Sequence, residues 1–456
     1  MDFVSAPVSQ DLTKVITATT AISAGHVIFV EAAVVASAAD DDFDGRAALD
    51  AVVDASHVSA YVRTHFDALM TTCALFPALD SVNVRKNLFK CFRLIDADPN
   101  ALRDVHQLPV NVFDVAATMA AAKGLLDAHP NVIPKVLDTR QVAHLIGVLN
   151  KNCLGLDHDT RTGLFYYFSK LRHNCNPTAS HTIQGDVATL VATRDIATGE
   201  ELTVELVETY YTCVDDRRET LSIDGQVCAC AVCIGVAADR TRAFKCTAAG
   251  GGCTGIVHPT NNVFACTHCG LVWPDAVVAA AQTAEESLLI QLDVNDVMQF
   301  DHILATSSLH AYHYVFFNWM NDVVTSGTDG AFLTDDVGDP PIDLSDDEWL
   351  NLLYRMVNAI NYVVPFPHAA KLPLYTSIAH LEIVLHGDMA KAHQAYAAAR
   401  AICAKVYPPT SDVATTLAAL THQTPKTSDE LAAVLLHTHD TWRACLPTSA
   451  LLPLVE

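Results

Sequence analysis

GLFYYFSKLRHNCNPTASHTIQGDVATLVATRDIATGEELTVELVE (residues 163–208), followed by DDRRETL (215–221) and VCACAVC (227–233), is the most informative part of this chain of 456 residues. Its middle alternates apolar with polar side chains, the period of half-buried strands, and the alternation breaks at Gly185-Asp186 and Thr198-Gly199, two turn-forming pairs. Short strands are expected across 150–206. The cysteines behind them carry a different signal. Cys228, Cys230 and Cys233 lie too close together to pair off as disulfides, but three thiolates at C-x-C-x2-C spacing close a tetrahedral zinc shell once a fourth arrives. Cys175, in the Cys-Asn-Pro at 175–177, is the natural fourth donor. The competing reading is three reduced thiols in a loop.

A second set follows at C-x6-C-x12-C-x2-C: Cys246, Cys253, Cys266 and Cys269. Two ligand-bearing turns separated by about a strand pair make a zinc ribbon, with CTHCG at 266–270 as its stronger knuckle and His258 or His268 as alternative ligands. Two zinc ions are therefore expected. Cys73, Cys91, Cys153, Cys213, Cys403 and Cys445 are scattered and read as core thiols.

Outward from this centre the period changes. Residues 45–148 carry apolar side chains at three- and four-residue spacing and read as helices, as does the chain from about 276 to 456. Residues 12–35 read as two strands around the turn Ala24-Gly25, and 328–347 as a long surface loop. Gly387-Asp388 reads as a turn between two helices.

Composition narrows the function. The chain is 51% hydrophobic, yet no run of about 18 apolar residues predicts a membrane span, and its start lacks the form of a secretory signal. Fourteen cysteines without an export signal point to metal and reduced thiols, hence to the cytosol or nucleus. A formal charge of −24 argues against direct nucleic-acid binding. The same charge suits a basic protein or peptide partner, though it also serves solubility alone.

Taken together, RHNCNP, GEELT and CACAVC resemble the core and post-SET segment of SET-domain protein-lysine methyltransferases, and within that superfamily the SMYD type. Ile22, Gly25 and Glu31 are similar to the recurring positions of the family's opening strands. The resemblance implies an α+β fold in three parts. These are a SET domain over 1–235 with a helical insert at about 45–148 and a post-SET segment at 217–235, a zinc-ribbon-like segment over 236–275, and a TPR-like helical domain over 276–456. Only Cys73 and Cys91 lie where SMYD proteins carry a MYND module, so that module is expected to be missing.

The implied reaction is methyl transfer from S-adenosylmethionine to a protein lysine. Asn152, His173 and Lys14 fall at cofactor-facing positions. Several other positions depart from the family. A Gly-x-Gly is replaced by Thr13-Lys14-Val15, an asparagine by Arg172, a tyrosine by Leu206 and an adenine-stacking aromatic by Gln226. Tyr210 and Tyr211, just beyond Leu206, are the candidate substitutes for the tyrosine. Two expectations therefore stand: a lysine methyltransferase with degraded cofactor and tyrosine positions, or an inactive SET pseudoenzyme serving as a zinc-stabilised protein- or peptide-binding module. The lost contacts predict weak binding of S-adenosylmethionine.

Overall fold

The structure, a computed structural model, describes residues 15–37, 60–110, 115–156, 160–223, 226–248, 252–292, 297–329 and 344–435. Among the described residues the strands are short and form four small sheets. Strand β1 (Val27–Ala32) pairs antiparallel with β7 (Val187–Ala192), which pairs in turn with β6 (Ala179–Gln184). The β6–β7 hairpin turns through Gly185-Asp186, and Gly185 takes φ +55, a conformation that costs a residue without Cβ little. Strand β2 (Val35–Ala36) pairs with β4 (Arg161–Leu164), and β4 with β3 (Cys153–Leu156). Strands β5 (Arg172–His173) and β8 (Thr203–Val204) run parallel. Thr178 and Thr203 then exchange hydrogen bonds at 2.8 and 3.1 Å, which sets the Cys175 loop beside the end of β8.

The segment before Gly25 does not pair with β1. It bridges instead to the far side of the core, Thr17 to Glu201 and Ile22 to Ile196. Gly25 itself has φ +80, and a Cβ there would lie 2.5 Å from the Ala404 carbonyl oxygen. Glu31 is buried on β1 and accepts from the backbone N–H groups of Tyr167 and Phe168 at 3.0–3.2 Å. Burial pushes its carboxyl up to about 7 against these bonds.

Helices α1 (Ala60–Cys73), α2 (Val82–Ala97), α3 (Val115–Ala128) and α4 (Thr139–Asn152) stand between β2 and β3 and share a core with Val35 and Leu164. Asp138 and Gln141 form a capping box at the start of α4. Residues 45–59 of the expected helical insert lie outside the described residues. After β8 come α5 (Val214–Ile223) and a third antiparallel sheet of β9 (Phe244–Lys245), β10 (Ile256–Thr260) and β11 (Val263–Cys266). The β10–β11 hairpin turns through Asn261 and Asn262, both at positive φ, the turn that matches strand twist.

The remainder is helical: α6 (Asp275–Gln291), α7 (Val297–Thr306), α8 (Tyr314–Asp329), α9 (Asp346–Val363), α10 (Lys371–Leu381), α11 (Met389–Val406), α12 (Asp412–His422) and α13 (Ser428–Leu435). Gly387, at φ +60, ends the α10 side of the turn, and Asp388 caps α11 through the N–H groups of Ala390 and Lys391. Leu381, Ala392, Tyr396 and Ala399 are fully buried at that crossing. Of the expected loop at 328–347, residues 330–343 lie outside the described residues and 346–347 begin α9. No helix among the described residues is long and apolar enough to cross a membrane. Cys73, Cys91, Cys213 and Cys403 are buried and Cys153 is half-buried, while Cys445 lies outside the described residues.

Candidate metal centres and candidate cofactor cavity

Two groups of four cysteines converge, each with all its sulfurs within 4.8 Å of one another. In the first, Cys175 lies 3.6 Å from Cys228 and 3.7 Å from Cys233, sulfur to sulfur. A tetrahedron with zinc–sulfur bonds of about 2.3 Å has edges of about 3.8 Å, so the spacing fits that ion. The N–H groups of Cys230 and Cys233 point at the sulfurs of Cys228 and Cys230, each at 3.4 Å, which suits thiolates. All four cysteines are buried. Behind them Arg217 makes a buried ion pair with Asp239 at 3.0 Å, and Arg218 donates to the Cys233 carbonyl.

His173 belongs to this centre. Its Nδ1 accepts from the Leu206 N–H at 3.2 Å, which leaves Nε2 to carry the proton toward the Cys175 sulfur at 3.4 Å. The resemblance gave His173 a place facing the cofactor, but its ring turns to the sulfurs and does not line the cavity described below. Sequence alone held no signal for this, because the Leu206 N–H that orients the ring lies 33 positions along the chain.

The second group joins Cys246 to Cys269 at 3.6 Å and Cys253 to Cys266 at 3.7 Å. The N–H groups of Gly255 and His268 point at Cys253 and Cys266, each at 3.4 Å. A Cβ on Gly255 would meet the Cys266 sulfur at 2.5 Å, so only glycine fits there. His258 is no alternative ligand, since its nitrogens face the Arg242 carbonyl at 3.1 Å and the Tyr362 hydroxyl at 2.8 Å. This centre is more open: Cys269 is exposed and Cys246 and Cys253 are half-buried.

A cavity of about 350 Å³ opens where the end of α4, residues 168–172, Leu206 and Gln226 meet. That volume lies in the range of small-molecule sites. Val15, Asn152, Arg172, Leu206 and Gln226 all line it, so the family-aligned positions come together in space. Thr13 and Lys14 lie outside the described residues. The Asn152 amide already donates to the carbonyls of Pro109 at 2.9 Å and Val148 at 2.8 Å. Arg172 is engaged by both carboxylate oxygens of Glu201. Val15 and Gln226 complete that lining.

A second cavity, about 540 Å³, lies between the first cysteine group and residues 363–366, which run on from the end of α9. Tyr210 lines it, with its ring centroid 4.5 Å from that of His368. Burial pushes the Tyr210 phenol up to about 12, so it stays protonated at neutral pH. His368 Nε2 in turn lies 2.5 Å from a Glu205 carboxylate oxygen, a hydrogen bond between the β8 end and the helical part that sequence reading missed, its partners being 163 positions apart. Tyr211 lines neither cavity. It stacks on Phe317 at 3.7 Å and donates to the Tyr312 carbonyl at 3.0 Å, and this packing takes it out of the candidate catalytic positions.

Comparison with known proteins agrees with this geometry. The SET domain family model matches residues 14–205. Over 111 residues, 24% of this chain, the sequence is 30% identical to the histone-lysine N-methyltransferase set5 of Schizosaccharomyces pombe, and the match spans 32% of that protein's own length. Residues 14–205 are therefore a SET domain, joined in this α/β chain to a helical C-terminal part and to two four-cysteine clusters able to hold zinc.

Proposed function

We propose that this chain is a SET-family pseudoenzyme: a zinc-stapled scaffold that engages a protein or peptide in the cleft between the SET core and the helical part, with little or no methyl transfer. One observation carries the reading. Val15, Arg172, Leu206 and Gln226, each replacing a residue the chemistry uses, line a single cavity. One loss invites a local workaround, but losses on every side of one ligand do not. The finer assignments belong to the same proposal: an SMYD-like arrangement with a post-SET segment at 217–235, a zinc-ribbon-like segment over 236–275, a TPR-like lobe beyond 276, zinc in both clusters, and a cytosolic or nuclear setting.

Missing adenine stacking, one amide contact and close backbone approach together remove roughly 3–6 kcal/mol, at about 1–2 kcal/mol each. A micromolar cofactor site then becomes about millimolar. Titration calorimetry with S-adenosylmethionine, paired with transfer of labelled methyl to lysine peptides, tests the reading. Affinity of about 10 µM or tighter together with turnover overturns it.

The second reading is a protein-lysine N-methyltransferase, favoured by the SET match, by the relative named above and by Asn152 at the cavity wall. Under that reading Tyr210 is the tyrosine of the lysine channel. Tyr210→Phe should then abolish turnover, and Tyr211→Phe should affect only stability.

A further inference from the structure

Solvent reaches the sulfurs of one cysteine cluster and not those of the other. Cys269 is exposed, Cys246 and Cys253 are half-buried and Cys266 is buried, whereas all four cysteines of the Cys175 cluster are buried. Cysteines that ligate zinc do so as thiolates, the form that reacts with oxidants, and exposure decides which of them an oxidant meets. The most open edge of the Cys246 cluster joins Cys246 to Cys269, 3.6 Å apart, sulfur to sulfur. A disulfide needs about 2.05 Å, so each of these sulfurs has less than about 1 Å to move.

The strands that carry this cluster have supports that pass through no sulfur. The β10–β11 pairing runs from Val257 and Cys266 to Thr260 and Val263. Phe264 and Trp273 are buried and stacked, and the Trp273 N–H donates to the Phe264 carbonyl at 2.9 Å. Lys245, beside Cys246, donates to the carbonyls of Leu304 and Ser307 and so ties β9 to the end of α7. Loss of the ion therefore loosens the cluster's own loops and leaves the sheet docked.

We propose that the Cys246 cluster is a site of reversible oxidation by hydrogen peroxide, at which a Cys246–Cys269 disulfide forms and zinc is released while the Cys175 cluster keeps its ion. This rests on the cluster binding zinc, as proposed above, and does not depend on whether the chain transfers methyl groups. The Cys269 thiolate attacks one peroxide oxygen, the O–O bond breaks and hydroxide leaves, which gives a sulfenic acid. The Cys246 thiolate then attacks that sulfur and expels a second hydroxide as the S–S bond forms. Two electrons pass from the sulfur pair to one peroxide, and two protons convert the hydroxides to water. Zinc is left with Cys253 and Cys266, half of a tetrahedral shell, and departs. A dithiol reductant returns both thiolates by exchange.

The test treats the full-length, zinc-loaded chain with hydrogen peroxide while a chromogenic dye reports free zinc, read against release in dye alone. One ion should leave at least about tenfold faster than the other. Non-reducing peptide mapping by mass spectrometry of the native chain should find Cys246 linked to Cys269, and dithiothreitol with added zinc should restore the lost ion. Cys269→Ser, which lacks that ion from the start, should show the slow phase alone. Equal release of both ions, a first disulfide that omits Cys269, or a loss that dithiothreitol and zinc do not reverse overturns the proposal. A native chain that carries no more zinc than Cys269→Ser sinks the zinc assignment itself. A chain that carries two ions and keeps both in peroxide sinks only this inference.

Discussion

The two cysteine clusters share a ligand set and nearly the same sulfur spacing, yet they sit in opposite surroundings. The Cys175 cluster is buried and backed by a second layer: His173 toward one sulfur and the Arg217–Asp239 pair behind. The Cys246 cluster sits at the end of a hairpin, with Cys269 in solvent and backbone N–H groups as its main support. Both can hold the ion, but they differ in what depends on it. Metal in the buried cluster ties the 228–233 segment to the core strands and, through His173, to the Leu206 backbone. Metal in the open one folds mainly its own hairpin.

The largest effect expected from this contrast is on folding. Cys230→Ser should reduce bound zinc from two ions to one by elemental analysis and cost several kcal/mol of stability, out of the roughly 10–16 kcal/mol that structural zinc contributes to such sites. Cys269→Ser should also lose one ion while the SET core keeps its cooperative melting transition. Equal damage from both substitutions would erase the distinction. Chelation separates the clusters in time. A chelator should strip the open cluster about a hundredfold faster than the buried one, read as two phases of zinc release with a chromogenic dye. A single phase of two ions would contradict the burial argument.

Smaller changes sharpen the same comparison. Gly255→Ala forces a methyl into the Cys266 sulfur and should cost about 1–3 kcal/mol, confined to the open cluster. His173→Ala leaves the Leu206 N–H and the Cys175 sulfur without their partner and should cost about 1–2 kcal/mol. Its distinguishing readout is faster zinc loss from the buried cluster alone. His173→Gln, which can still accept and donate, should recover part of it.

What the sequence disclosed follows the same division between local and distant causes. C-x-C-x2-C and C-x2-C are short-range geometry, and so are the turns at Gly185-Asp186 and Gly387-Asp388, so these were legible. Long-range partners were not. Tyr211 looked like a spare catalytic phenol because nothing nearby in sequence announces Phe317 or Tyr312, more than a hundred positions away. The segment before Gly25 looked like half of a hairpin because alternation marks a strand without naming its neighbour, which here is residues 196–201.

The contact between Gly25 and the Ala404 carbonyl has a consequence for biosynthesis. At about 5–20 residues per second, the ribosome needs on the order of tens of seconds to travel from one position to the other. Through that interval the turn at Gly25 has no α11 to rest on. The face that α11 will cover must wait exposed, as must the thiol of Cys175 until 228–233 emerges. This part of the core is therefore completed only after position 404 has emerged, and a chaperone that shields the earlier strands should matter more for yield than for final stability.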